Sequence, residues 1–139
     1  MAFTVVVGYD GGPGSRAALD VALGLAERLD GRVIVAYLFE GPSDPILGAE
    51  LRREAQQLTK GALMAAANHG VPSEAIIAER PVVEGLIKVA EERCADLLAI
   101  GTSGESAFVG ALVGSACHAL VHRTTIPLVV VPPHPNRVE

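Results

Sequence analysis

The chain has 139 residues, of which half are apolar and 19% are charged, and its formal net charge is −5 at pH 7. This length suits one domain with a single core, and the composition excludes intrinsic disorder and a membrane-spanning helix. The acidic net charge argues against a nucleic-acid partner, and two cysteines are too few for a disulfide framework. We therefore expect a soluble cytoplasmic protein with no membrane partner.

Short apolar runs alternate with helical patterns along the chain. The first run, residues 4–9, is β-branched and apolar on both faces, which is typical of a strand covered on both sides. Further runs that predict strands lie at residues 32–39, 75–78, 97–100 and 128–131. Between them, apolar residues recur at three- and four-residue spacing. This spacing predicts helices at about 15–30, from about Leu51 to a cap at Gly70, from Pro81 onward, and at 115–123, with a polar loop around Pro42 and Pro45.

The order of these elements predicts an α/β fold. Alternating strands and helices favour a single-domain, open, parallel five-stranded sheet of order 3-2-1-4-5, Rossmann-like, with right-handed crossovers and helices on both faces. We expect one domain over residues 1–132 and a frayed tail over residues 133–139.

Glycines and small polar residues follow the first and fourth predicted strands. Asp10 leads into a glycine turn, and Gly101 begins a longer glycine loop that contains Gly104 and ends in Gly114 and Ser115 at a helix start. In parallel sheets, ligands bind at the carboxyl ends of the strands, where the strand order reverses. The second loop suits an anion cradle, because glycine main chain and the N–H groups of a helix start approach a phosphate closely. The alternative is that these glycines only form turns and Ser115 only caps a helix.

The spacing Gly101-x2-Gly104-x9-Gly114-Ser115 after an apolar strand resembles the nucleotide motif of the universal stress protein family, in its ATP-binding branch. Residues 6–11 resemble that family's first strand and turn, residues 95–101 its fourth strand, and residues 126–131 its closing segment. The resemblance covers nearly the whole chain in the same order. It implies a fold of the adenine nucleotide alpha hydrolase-like type.

The resemblance also implies a ligand and a set of contacts. The ligand is ATP, together with Mg²⁺, or alternatively AMP or cyclic AMP. Asp10 accepts hydrogen bonds from the ribose, and the main chain of Leu38 bonds the adenine edge. The glycine loop and the start of the last helix hold the phosphates. The implied nucleotide-binding residues are Gly8, Tyr9, Asp10, Leu38, Ile100, Gly101, Gly104, Gly114, Ser115 and Ala116. A turn-forming role for Asp10 is compatible with its ribose contact.

Two departures from the family pattern weaken the predicted phosphate site. Gly12 stands where the family often has a serine, and the glycine loop carries Ser103, Glu105 and Ser106 where basic residues are frequent. A carboxylate near several phosphates opposes their binding. We therefore expect weaker ATP binding than in relatives with basic loops, or tolerance of less charged adenine nucleotides.

The predicted function is that of a nucleotide-binding regulatory module in a stress response, with little or no ATP hydrolysis and no catalytic residues. The resemblance implies a homodimer formed by antiparallel pairing of the fifth strand, Leu128, Val129, Val130 and Val131. One alternative is a dimeric scaffold that binds no nucleotide. Another is a slow adenine-nucleotide hydrolase, although the lysine-bearing P-loop sequence is absent.

Histidines and cysteines give no strong metal signal. His118 and His122 stand one helical turn apart and could share a metal ion, but Cys117 points to another face and no third ligand is evident. The favoured interpretation is a partly buried helix surface and no metal site. Cys94, near a helix end, is predicted to be a small buried thiol.

Overall fold

A computed structural model describes residues 2–102 and 115–133 of the chain. Within them, strands and helices alternate in the order β1 (Thr4–Gly8), α1 (Pro13–Leu29), β2 (Arg32–Phe39), α2 (Pro45–Asn68), β3 (Ser73–Glu79), α3 (Val82–Glu92), β4 (Leu97–Gly101), α4 (Ser115–Arg123) and β5 (Leu128–Val131). The described strands form a parallel sheet of order β3-β2-β1-β4-β5. The predicted α/β fold and strand order are therefore confirmed. No helix in these two ranges has the length and apolar character needed to cross a membrane.

The sheet separates two apolar layers, which explains why its central strands are apolar on both faces. Val5 and Val7 belong to the layer covered by α1 and α2, whereas Val6 belongs to the layer covered by α3 and α4. Successive side chains of a strand point to opposite faces, so a strand buried on both sides needs a continuous apolar run. These three valines are fully buried. The two layers hold the central strands β1 and β4 in place, and their carboxyl ends form the edge described below.

Two helices begin earlier than the sequence predicted, in both cases at a proline. The sequence predicts a start of α1 near Ser15 and a loop around Pro45, but α1 begins at Pro13 and α2 at Pro45. Proline suits the first helical position because its missing N–H has no partner there. Asp44 caps α2, since its Oδ1 accepts a hydrogen bond from the Ile46 N–H at 2.9 Å. Gly70, with φ of +68°, follows the helix end as predicted.

Two predictions about burial are wrong. Cys94 is exposed, and it has a φ of +53° just after α3. It occupies the left-handed position that often ends a helix, and this conformation leaves its side chain outside the core. His118 and His122 are both exposed on α4, so they do not lie on a partly buried surface. Among the side chains of α4 that the structure describes, Leu120 is buried, and it lies on the opposite side of the helix.

Candidate functional site

The turn after β1 is held by a hydrogen-bonded pair of side chains. Asp10 Oδ1 accepts one hydrogen bond from the Gly12 N–H and another from the Ser15 hydroxyl, both at 2.8 Å. The Ser15 oxygen in turn accepts from the N–H groups of Asp10 and Gly11, at 3.2 and 3.1 Å. Gly11 has a φ of +83°, a left-handed conformation that glycine adopts without strain. Asp10 therefore has the turn-forming role, and the turn fixes where its carboxylate lies.

The end of β4 touches the start of α1 through main-chain atoms. A Cβ atom at Gly101 would lie 2.4 Å from the carbonyl carbon of Gly14, well inside the usual carbon–carbon contact distance. Only glycine allows this approach without a shift of the backbone. The strand pairing Val7↔Ala99 places the ends of β1 and β4 at the same edge of the sheet. The Asp10 turn and the start of the glycine loop are consequently neighbours.

Strand β2 extends beyond its neighbour β1 at this edge. The pairing of the two strands ends at Gly8↔Ala36, followed by a hydrogen bond from the Tyr9 N–H to the Ala36 oxygen at 2.9 Å. β2 continues to Phe39, whose oxygen accepts a hydrogen bond on the β3 side. Main-chain groups of alternate residues point to the same side, so those of Leu38 face the β1 side, beyond the point where β1 ends. The backbone of Leu38 is thereby directed over the Asp10 turn.

Tyr9 lies at the base of this edge with its side chain almost fully buried. Burial raises the pKa of its hydroxyl above the ordinary value, and the negative charges of Asp10 and Asp20 act in the same direction. The positive charge of Arg16 opposes them. Desolvation disfavours the ionised phenol, so Tyr9 is a neutral part of the site at physiological pH.

The other predicted site residues fall into two groups. Gly8 is the last residue of β1, Ile100 is buried in β4, and Ala116 is exposed in the first turn of α4. Gly104, Gly114 and the side chain of Ser115 lie outside what the structure describes, although α4 does begin at residue 115. The described part thus brings Asp10, Leu38 and Gly101 to one edge of the sheet.

Sequence reasoning missed two residues that shape this edge. Ser15 is nearly buried and bonds the Asp10 carboxylate, although a serine near a helix start usually suggests a simple cap. Gly14 is not singled out by the sequence, and its contact with Gly101 joins distant parts of the chain. The short spacing between Asp10 and Ser15 was a usable signal for the first contact. Nothing local in the sequence signals the second.

Comparisons with known proteins agree with this architecture. A model of the universal stress protein family matches residues 1–132. The chain is similar to universal stress protein Rv1636 of Mycobacterium tuberculosis, with 30% identity over 139 residues that cover 92% of this chain and 94% of the relative. It is 28% identical to a universal stress protein of Thermus aquaticus over 133 residues, which cover 92% and 97% of the two chains. A universal stress protein solved in complex with cAMP has 28% identity and a TM-score of 0.74, with 96% of this chain and 98% of that chain covered.

Proposed function

The chain belongs to the universal stress protein family, and on that basis we propose that it is a stress-response regulatory module that binds an adenine nucleotide at the carboxyl edge of its sheet. ATP is the proposed ligand, and AMP and cyclic AMP are the alternatives. The similar protein solved with cAMP supports an adenine nucleotide as the ligand class. Mg²⁺ would accompany ATP, held mainly by its phosphates and by water.

The observation that carries this proposal is the extension of β2 beyond β1. The main-chain N–H and C=O of Leu38 face the space above the end of β1. Adenine presents a donor and acceptors along its edge, which such a main-chain pair complements. The side chain of Leu38 is nearly buried, so the contact would come from the backbone.

Asp10 is the proposed ribose ligand. A carboxylate is a strong hydrogen-bond acceptor for ribose hydroxyls, and Asp10 Oδ1 accepts hydrogen bonds from Gly12 and Ser15. These bonds hold the side chain in one orientation before the ligand arrives. Little side-chain entropy would then be lost on binding, which favours affinity.

The phosphates are proposed to meet the start of α4. Its first N–H groups have no partner within the helix and attract an anion. Glu105 and the absence of basic residues between Ser103 and Gly114 reduce the attraction for several phosphate charges. We therefore expect ATP and AMP to bind with more similar affinities than in relatives whose loops are basic. We also propose little or no hydrolysis, because the Asp10 carboxylate is engaged in the turn.

Calorimetric titration of ATP, AMP and cyclic AMP into Asp10→Asn tests the nucleotide site. Asparagine keeps an acceptor for the turn but loses the charge, and one hydrogen bond to a charged group is worth about 1.5–3 kcal/mol. Affinity should fall about ten- to hundredfold. Asp30→Asn is the matched control, because it makes the same charge change at the left-handed residue after α1, at the opposite edge of the sheet, where asparagine is tolerated.

The outcomes separate the candidate functions. Equal affinities of the two variants would contradict the ribose role of Asp10. No binding of any adenine nucleotide by the unmodified chain would refute the proposal and favour the dimeric scaffold. ATP turnover well above background that is lost in Asp10→Asn would favour the hydrolase instead.

We also propose that two copies pair through β5. β5 is at the edge of the described sheet, and its odd-numbered residues face β4, since the oxygens of Pro127 and Val131 accept hydrogen bonds from Leu98 and Thr102. The main-chain groups of Leu128 and Val130 therefore point away from the sheet. An apolar strand at the edge of a sheet favours pairing with a second strand.

Val130→Pro tests this pairing, because it removes an outward N–H and leaves the N–H groups on the β4 side intact. Light scattering should show a dimer for the unmodified chain and a monomer for the variant. Val130→Thr is the control, since it keeps the N–H and the side-chain shape, and it should remain dimeric. A concentration-independent monomer for the unmodified chain would overturn the proposed dimer.

The proposed compartment is the cytoplasm. Cys94 and Cys117 are free thiols, which suits a reducing environment. Fractionation of cells that express the tagged full chain, followed by immunoblotting, tests this placement. Recovery in a membrane or extracytoplasmic fraction would contradict it.

A further inference from the structure

Helix α4 presents two histidines side by side on its outer face. His118 and His122 are one turn apart, both are exposed, and their ring centroids are 4.6 Å apart. Leu120, which anchors the helix in the core, points in the opposite direction. Residues four apart on a helix are neighbours on its surface, so both rings can reach the same point in solvent. Neither histidine is among the proposed nucleotide-binding residues.

A carboxylate partly offsets the positive charge that lies beside the histidine pair. Arg123 is the adjacent positive charge, and its guanidinium lies 3.8 Å from the Glu84 carboxylate of α3. This ion pair directs Arg123 toward α3 and offsets its charge. Cys117 is half-buried and lies on another side of the helix. The two imidazoles are thus the metal ligands that this face of α4 presents.

We propose that His118 and His122 together bind one divalent transition-metal ion of the Zn²⁺, Ni²⁺ or Cu²⁺ class. Imidazole is the common protein ligand for these ions. Within residues 2–102 and 115–133, no group of three or more histidine, cysteine or carboxylate ligands is assembled. The ion therefore takes two protein ligands and completes its coordination with water. Such a site exchanges its ion with solvent and also cross-links one turn of α4.

The test is calorimetric titration of the purified full chain with Ni²⁺ in the absence of nucleotide. We expect one ion per chain, with affinity reduced at least about tenfold in both His118→Gln and His122→Gln, because loss of even an indirect metal contact costs about 10–100-fold. His69→Gln is the matched control: His69 is also exposed but is bonded to Glu27 far from α4, and its loss should leave the affinity unchanged.

Two further measurements test for misfolding and for binding elsewhere. Far-ultraviolet circular dichroism should be the same for all variants, since the replaced side chains are exposed. Ni²⁺ should broaden the imidazole NMR signals of His118 and His122 before that of His69. If His118→Gln and His122→Gln bind Ni²⁺ as tightly as the unmodified chain does, or if the unmodified chain shows no saturable binding, the proposal is overturned.

Discussion

Gly101→Ala should destabilise the protein by closing the space between β4 and α1. The added methyl carbon would lie 2.4 Å from the Gly14 carbonyl carbon, whereas carbon atoms pack at about 3.5–4.0 Å. The backbone must therefore open by about 1 Å or more, and neither partner is a side chain that could rotate away. Overpacking of this kind costs about 1–3 kcal/mol, partly offset by about 0.4–1 kcal/mol from the reduced freedom of the unfolded chain.

Thermal and urea unfolding of Gly101→Ala measure this effect. For a chain of this size, we expect the Tm to fall by roughly 3 °C for each kcal/mol. Gly24→Ala is the matched control: it adds the same methyl group in α1, where nothing lies within 4 Å of the new atom. It should stabilise the protein by about 0.5–1 kcal/mol, because alanine favours a helix interior. If Gly101→Ala unfolds at or above the unmodified Tm, the close backbone contact is wrong.

Three further changes test the fold and its response to pH. Leu120→Ala should cost about 2–5 kcal/mol in urea unfolding, since it removes the fully buried anchor of α4; a loss under about 1 kcal/mol would contradict that anchoring. Asp44→Ala should cost about 1 kcal/mol by the same assay, as the Ile46 N–H loses its cap, and an unchanged midpoint would refute the cap. Burial raises the pKa of the Tyr9 hydroxyl in the folded chain above the ordinary value of 10.0. The unfolded chain therefore loses the hydroxyl proton at lower pH than the folded chain does, and the free energy of unfolding should fall as pH rises above 10.0. Tyr9→Phe should remove the part of the stability loss at alkaline pH that is due to Tyr9. An unchanged dependence of stability on pH in this variant would contradict the role of Tyr9.

The sequence predicted the strand order well because its signal is redundant. Each central strand must be apolar on both faces, and each crossover needs a helix, so alternation alone restricts the topology. The starts of α1 and α2 were harder, because Pro13 and Pro45 indicate a turn and a first helical residue equally well. Cys94 was misjudged because helix termination, rather than side-chain polarity, determines its exposure.

The candidate site was only partly predictable. Asp10 and Gly101 stand out in the sequence because they follow apolar strands and begin glycine turns. The contact of Gly101 with Gly14 depends on how two distant elements pack, and no local pattern encodes that distance. The extension of β2 past β1 requires the register of the sheet, which depends on pairing between strands. Position 38 was accordingly implied by family resemblance and not by its own chemistry.

The unequal lengths of β1 and β2 have an evolutionary consequence. Every amino acid except proline carries the same amide and carbonyl, so replacements at Leu38 alter its packing yet preserve the polar groups at that edge. An insertion or deletion within β2 has the opposite effect, because a shift of one residue turns those groups toward β3. At this edge of the sheet, natural selection should therefore act on the length of β2 more strongly than on the identity of residue 38.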